Sequence, residues 1–523
     1  MTIAALLDFR TDTMAPLVHR TEPFFANSIG PFEMPKAISS FELTLKSRSR
    51  HQTLTNWLYG ELRSAILDGR LAPGARLPAS RDFASQYELS RGTVVSVLER
   101  LQGEGYVTSR VGFGTWVNRV EAPRPARQAT TIPAYIRGVI STNKRPQPWI
   151  DQAFVGGIRP FRIGAPAINE FPSEVWGRIA ADRARHFRSW LEREADRRGY
   201  RPLRDAIAEY LRTSRGVRCT AEQIVIVSGI QQALDLLARL LLKKGDPIWM
   251  EDPGYFGARI AFDNVGARMI AVPVNEEGLS VSAGMKICPD AKGAYVTPAH
   301  QFPLGVTMSL ERRMALLSWA ARAGAFVIED DYDSEYRFEG PPVPAVQSLD
   351  NHSSVIFIGS FSKTLFPALR VGYVVLPAPL VDPFVSLRYR TDFRNSSFDQ
   401  AVLCDFIVDG HLARHLRRMR NLYAERLAIL MEGARQHLGG LLEISNVRAG
   451  LCTIGYLKNG MTSRLAEKLA EAQGVEVLAI DRCTLRRPDP NALLLGFGGF
   501  DELAIRQGLI RLTRALSQSD LGT

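Results

Sequence analysis

The chain has 523 residues, of which 46% are hydrophobic and 23% charged, and a formal net charge of +11. That length asks for several domains, and that balance excludes a wholly disordered or fibrous protein. The charge by itself names no partner. Residues 1–50 carry 6 basic and 5 acidic residues, residues 51–120 carry 8 and 6, residues 121–150 carry 5 and 1, and the remainder is nearly balanced. A nucleic-acid assignment therefore has to come from a motif rather than from bulk charge. The five cysteines (Cys219, Cys288, Cys404, Cys452 and Cys483) are odd in number, widely spaced and form no Cys-x-x-Cys pair. Neither a disulfide framework nor a zinc site is expected, and a cytoplasmic setting is. No uninterrupted apolar stretch reaches the roughly 18 residues of a membrane helix, and no basic start precedes an apolar run, so no membrane or secretory role is expected.

In chain order, residues 1–50 show little period and read as a disordered extension. Residues 51–118 read as a small domain. Leu54, Leu58, Leu62 and Ile66 recur at helical spacing, and Gly69 stops that helix. The turn Leu71–Pro78 leads into a short helix from about Ala79 to Tyr87. Ser90 is a good N-cap for the next helix, whose inner face is Val94, Val97, Leu98 and Leu101. Strands are expected at Tyr106–Arg110 and Thr115–Val117 around the turn Val111-Gly-Phe-Gly114. Helix, helix, turn, helix and hairpin make a winged helix-turn-helix. Residues 119–150 are basic and contain Pro123, Pro125, Pro133, Pro146 and Pro148, a linker composition.

From 151 to 518 apolar strands alternate with helices. Ile224–Val227, Pro247–Met250, Ala325–Ile328, Val355–Ile358 and Val371–Leu376 are buried-strand candidates, the signature of an α/β domain with a mostly parallel sheet. Long helices at Gln400–Val408 and His411–His437, then short strands and a final helix from 501, suggest a smaller C-terminal α/β lobe.

The N-terminal end of the second helix of a helix-turn-helix reaches base edges in the major groove of double-stranded DNA. Here that end is Ser90-Arg-Gly-Thr93. Arg91 can bond bidentately to a guanine. Ser90 and Thr93, with free backbone N–H groups, suit phosphates. Arg81 is placed for backbone contact, and Arg110 with Gly112 and the other wing glycine for the minor groove or phosphates. The residues Ile66–Arg81, Leu89-Ser-Arg91, Leu101–Tyr106 and Gly112-Phe-Gly114 resemble the GntR family of bacterial regulators. Gly92 departs from the larger residue often found after the arginine.

Four clusters in the large domain point to one chemistry. Val227-Ser-Gly-Ile-Gln-Gln232 turns from a strand into a helix, where backbone N–H groups favour a phosphate. Phe326–Asp333 is an apolar strand that ends in acids. Asp330 beneath a pyridine nitrogen would hold it protonated. In Phe357–Arg370, Lys363 follows a strand closely and suits a Schiff base, while Ser360, Ser362 and Arg370 offer a phosphate cradle. In Glu251-Asp-Pro-Gly-Tyr255, Tyr255 could stack on the ring.

With Thr297–Gly305 and His411–Arg420 added, the region from about 155 resembles the fold type I aminotransferases. The chain from 51 resembles the MocR-type subfamily of GntR regulators, in which a winged helix-turn-helix is fused to an aminotransferase-like domain. The resemblance implies pyridoxal 5'-phosphate as cofactor and Lys363 as its internal-aldimine lysine. It implies Asp330 at the ring nitrogen, Tyr332 at the ring hydroxyl, and His300 and Gln301 near the same oxygen. Gly229, Ile230 and Gln231 would frame the phosphate, and Arg482 would pair with the carboxylate of an amino-compound effector, with Arg486 and Arg487 as competitors. A head-to-tail homodimer is implied as well. Three positions depart from the family pattern: Ile230 replaces a small hydroxyl residue, the loop Leu191–Arg198 lacks a tyrosine, and Cys452 replaces a histidine. Two readings stay open. One is a regulator that senses an amino compound by external aldimine formation. The other is a competent aminotransferase with an accessory DNA-binding domain.

Overall fold

The computed structural model describes residues 43–48, 52–110, 112–120, 135, 159–186, 196–340, 343–393, 395–458, 460–486 and 491–517. The expected extension and linker, Arg487 and the first part of the loop Leu191–Arg198 lie largely or wholly outside the described residues. The chain divides into two compact units, Met1–Ile150 and Asp151–Thr523.

The first unit has helices at Leu54–Leu67, Ser80–Gln86 and Arg91–Gly103 and strands β1 (Arg76–Leu77), β2 (Val107–Arg110) and β3 (Gly114–Val117). Leu58, Leu62, Ile66, Phe83, Val94, Val97, Leu98, Leu101, Val107 and Val117 form its core. Leu54 departs from the expected stripe. As the first helical residue it has no turn before it to pack against, and it stays 40% exposed. The third strand is a finding. Arg76–Leu77 pairs antiparallel with β3, giving the sheet order β1-β3-β2 and bracing the hairpin from behind.

The second unit is built on an eight-stranded sheet of β4 (Ile224–Val227), β5 (Pro247–Asp252), β6 (Arg268–Asn275), β7 (Gly278–Leu279), β8 (Gly293–Val296), β9 (Phe326–Asp331), β10 (Val355–Ser360) and β11 (Gly372–Val375). The order is β4-β11-β10-β9-β8-β5-β6-β7. The five central strands from β10 to β6 run parallel, and β11 is antiparallel to both of its neighbours. Strands β4, β8 and β11 are buried along their whole length, as expected of a sheet covered on both faces. The smaller lobe carries β12 (Leu442–Ile444), β13 (Cys452–Leu457), β14 (Leu478–Ala479) and β15 (Ala492–Gly496) in the order β12-β13-β15-β14, covered by helices at Ser463–Ala472 and Glu502–Ser517. The helix His411–His437 packs against Glu502–Ser517.

Register places the chemistry. Ser360 is opposite Gly372, which is opposite Val227, while Asp330 is opposite Ile358. Three segments far apart in sequence therefore meet at one sheet edge: the end of β4, the end of β10 and the start of β11. Parallel sheets bind ligands outside the carboxyl ends of their strands, and this is that edge.

Candidate functional site

In the first unit Ser90 caps the helix Arg91–Gly103. Its hydroxyl accepts from the Thr93 backbone N–H at 3.1 Å and lies 2.8 Å from the Thr93 hydroxyl. The Thr93 N–H is therefore spent inside the cap, and the donors left at this helix start are those of Arg91 and Gly92. Arg81, Ser90, Arg91, Arg110 and Gly112 are all exposed. Gly92 has room beside it: a Cβ there would meet only the Ser90 hydroxyl, at 3.9 Å.

In the second unit Asp330, the penultimate residue of β9, is buried. The Tyr295 hydroxyl donates to its Oδ2 at 2.7 Å, and its Oδ1 has no partner among the described residues. Burial pushes the Asp330 carboxyl up to about 7. The Tyr295 bond pulls it down, and Asp331 and Asp333 add to the rise. A buried carboxylate with one empty oxygen calls for a cationic donor.

Lys363 lies in the turn after β10. Its Nζ donates to the Gly164 carbonyl at 2.6 Å, and burial lowers its pKa. Gly164 has φ +64° and packs so closely that any side chain there would collide with Nζ. The hydroxyl of Tyr336 donates to the carbonyls of Lys363 and Thr364 at 3.1 and 3.2 Å and so fixes the turn. A desolvated lysine beside a neutral acceptor has the character of an amine nucleophile.

The phosphate corner follows from the register. Gly229 starts the helix Ile230–Leu241 with φ +130°, and a Cβ there would lie 3.5 Å from the Arg370 guanidinium. Ser360 donates to the Ser362 hydroxyl at 2.9 Å and accepts from its backbone N–H at 3.1 Å. Arg370, in the left-handed region at φ +53°, is exposed. Ile230 can offer only its backbone. Gln231 turns its amide to the Gly257 carbonyl at 3.0 Å, so that side chain ties two helices together rather than facing the corner. Gln232, a residue not singled out from sequence, accepts from the Ser228 N–H at 2.7 Å, and Asn395 donates to the Ser228 hydroxyl at 2.8 Å.

On the other side, the two Asp333 oxygens are 3.0 and 3.1 Å from His300 Nδ1, and the Tyr332 hydroxyl oxygen is 3.0 Å from the same nitrogen. A carboxylate only accepts, so Nδ1 carries the ring proton and donates. Tyr332 accepts from that shared donor, which leaves its own O–H to donate elsewhere. Burial raises the Tyr332 pKa well above 10 and keeps that proton in place. His300 Nε2 is buried without a protein partner. Gln301 is not brought to this point. Its Nε2 donates to the Glu251 carboxylate and the Pro253 and Phe302 carbonyls, and its Oε1 accepts from the Leu304 N–H. With all its polar atoms engaged, it is a strut. Tyr255 lies edge-on to Phe302 and feels the Asp330 charge, beside the same strand end.

Arg482 is placed differently from its expectation. Its guanidinium forms a forked pair with Glu467 (Nε to Oε1 at 2.7 Å and to Oε2 at 2.9 Å), both side chains being largely buried. Glu467 also accepts from the Ala479 N–H at 3.1 Å. A carboxylate on the helix Ser463–Ala472 thus takes the Nε edge of the guanidinium. The Arg486 side chain is exposed, while its N–H donates to Asp252.

The site's own atoms fit pyridoxal phosphate. The unmatched Asp330 oxygen suits a protonated ring nitrogen, Tyr332 has an O–H to give a ring oxygen, Lys363 offers the amine, and the glycine turn with Ser360, Ser362 and Arg370 suits a phosphate. Gly164, Tyr295 and Asp333 were not singled out from sequence. The only signals they carry there are a glycine before Ala-Pro, a tyrosine in an apolar strand and one acid among several.

The fold and the site define a winged helix-turn-helix joined to a fold type I pyridoxal phosphate unit. Residues 54–117 match the bacterial regulatory proteins of the gntR family, and residues 168–503 match aminotransferase class I and II. The chain is 38% identical over 458 residues to a probable rhizopine catabolism regulatory protein, MocR, of Rhizobium meliloti, covering 88% of this chain and 92% of that protein. It is 29% identical over 493 residues to the pyridoxine biosynthesis transcriptional regulator PdxR of Corynebacterium glutamicum, covering 93% and 99%. A crystal structure of Pyrococcus horikoshii kynurenine aminotransferase, in complex with PMP, superposes with a TM-score of 0.67 at 26% identity, covering 73% of this chain and 97% of that one. The chain belongs to the MocR-type subfamily of GntR regulators, and its cofactor is pyridoxal 5'-phosphate.

Proposed function

We propose that this protein is a cytoplasmic transcription regulator that reads double-stranded DNA through Arg91 and senses an amino compound at Lys363. The observation that carries the sensing half is the conjunction of a desolvated Lys363 amine with an unmatched buried Asp330 oxygen. When bound, the cofactor supplies an electrophilic carbon and an electron sink. The protein's part is positional. Asp330 holds the ring-nitrogen proton, Tyr332 directs its hydroxyl under the control of His300 and Asp333, and Lys363 yields its place to an incoming amine. The similarity to regulators named for rhizopine catabolism and pyridoxine biosynthesis supports a small-molecule effector. With Glu467 already paired to Arg482, this reading rests on the amine that an effector brings to Lys363, and a carboxylate would meet Arg482 in competition with Glu467. A head-to-tail homodimer would present two heads to an operator. In the competing reading the same pocket turns over as an aminotransferase.

The test is binding of the full chain to its upstream intergenic DNA, with and without cofactor and a panel of amines, in wild type and Lys363→Ala. Specific binding that amines modulate only in the wild type is expected. No specific binding under any condition would refute the regulator. Sustained conversion of an amino donor and a keto acid would establish the enzyme instead.

A further inference from the structure

We infer that Phe113 is an apolar wedge that the wing presses into the minor groove, so that part of the operator is recognised by how easily a base step opens. This rests on the DNA-binding reading of the first unit and deepens it. Phe113 is 69% exposed, at the tip of the turn between β2 and β3. Of the other large apolar side chains of the wing sheet, Leu77, Val107 and Val117 are in the core and Trp116 is half-buried beneath Arg76.

The tip is rigid. The Phe113 N–H donates to the Arg110 carbonyl at 3.0 Å, and the Phe113 carbonyl accepts from Arg76 at 2.6 Å. Gly112 and Gly114 have φ +80° and +126°, and a Cβ on Gly114 would lie 2.8 Å from Arg76 Nε. The same guanidinium lies over the Trp116 ring, 5.8 Å from its centroid, in the register that pairs Arg76 with Trp116. The backbone of the tip is thus anchored while its ring stands in water.

The partner follows from the surroundings. Arg76 and Arg110, both hydrogen-bonded to the Phe113 backbone, are exposed cations on the same turn, which suits the negative minor groove. The wing also belongs to the same small unit as the helix that carries Arg91. Phenylalanine can neither donate to a base edge nor neutralise a phosphate. What it can do in a groove is partly unstack a step, at a cost that is lowest at pyrimidine–purine steps. Its contribution therefore releases no counterions.

The experiment uses duplexes selected from random sequence by the full-length wild type, then binding over a salt series. Selected sites should carry a pyrimidine–purine step at a fixed distance from the bases read by Arg91. Phe113→Ala should weaken binding to these sites by about tenfold with an unchanged log–log salt slope, and should lose the preference for a flexible over a stiff step. Phe113→Leu should keep most of the affinity. Arg110→Ala should instead flatten the slope by about one contact. Wild-type affinity in Phe113→Ala, or an equal loss on flexible and stiff steps, overturns the wedge while leaving the DNA reading intact. Failure of the wild type to select any sequence overturns both.

Discussion

Replacing Asp330 by Asn separates two things that the carboxylate combines, a burial cost in the apoprotein and a partner for the cofactor. Burial lifts this carboxyl from 3.8 to about 7. The folded state therefore binds its proton more tightly than the unfolded state does, and the group withdraws stability as pH rises from about 4 through about 7. Between about pH 5 and about pH 8 that withdrawal amounts to roughly 2–3 kcal/mol. Asparagine keeps the size, can still accept from Tyr295, and does not titrate. Glu329, also raised to about 7 by burial, titrates in both proteins and cancels in the comparison, while Glu251, raised to about 7 chiefly by burial, loses only the smaller push it receives from the Asp330 charge. Urea unfolding of the apoproteins at the two pH values is the assay. The wild type should lose roughly 2–3 kcal/mol more than Asp330→Asn on going to the higher pH. With cofactor the advantage should reverse, because only the carboxylate balances a protonated ring nitrogen. Parallel pH dependences in the two apoproteins would show that the Asp330 carboxylate bears no such burial cost, and the argument for a cationic partner would fall with it.

Gly164→Ala should displace Lys363, since the added methyl occupies the place of Nζ. Lysine-dependent visible absorbance with cofactor should be lost while the far-UV circular dichroism is kept. Gly92→Ala should stabilise the first unit by about 0.4–1 kcal/mol, read as a raised thermal midpoint, because a glycine in the first helical turn is replaced where the methyl meets only a hydroxyl at 3.9 Å and the unfolded chain loses conformational freedom. Arg91→Ala should cost about 1–3 kcal/mol of specific DNA binding, measured by anisotropy, and relax the preference at one base pair. Glu467→Gln should open the Arg482 fork and lower the concentration of a carboxylate-bearing amine needed to change the visible spectrum. An amine without a carboxylate should be unaffected.

Local order was legible in the sequence. Ile224–Val227 and His411–His437 have the boundaries their patterns predict, as does the N-cap at Ser90. Apolar period and capping chemistry are properties of one segment, so they can be read along it. The residue types of the site were legible for the same reason, since each motif ends its own strand.

Tertiary structure decided which atoms of those residues remain available. Ser360, Gly372 and Val227 meet because β11 runs antiparallel between β4 and β10, which no single segment records. Gln301 and Gln231 carry the right chemistry, yet carbonyls and a carboxylate from distant loops consume it. Arg482 is ion-paired because the helix Ser463–Ala472 sets Glu467 beside it. Gly164, 199 residues before Lys363, holds that amine by a carbonyl alone. The net charge of +11 identified no partner, whereas Arg91 at a helix start and Phe113 on a braced turn are defined by position. Sequence period reports which side of an element is buried, but the partners of a polar atom depend on segments that only folding brings together.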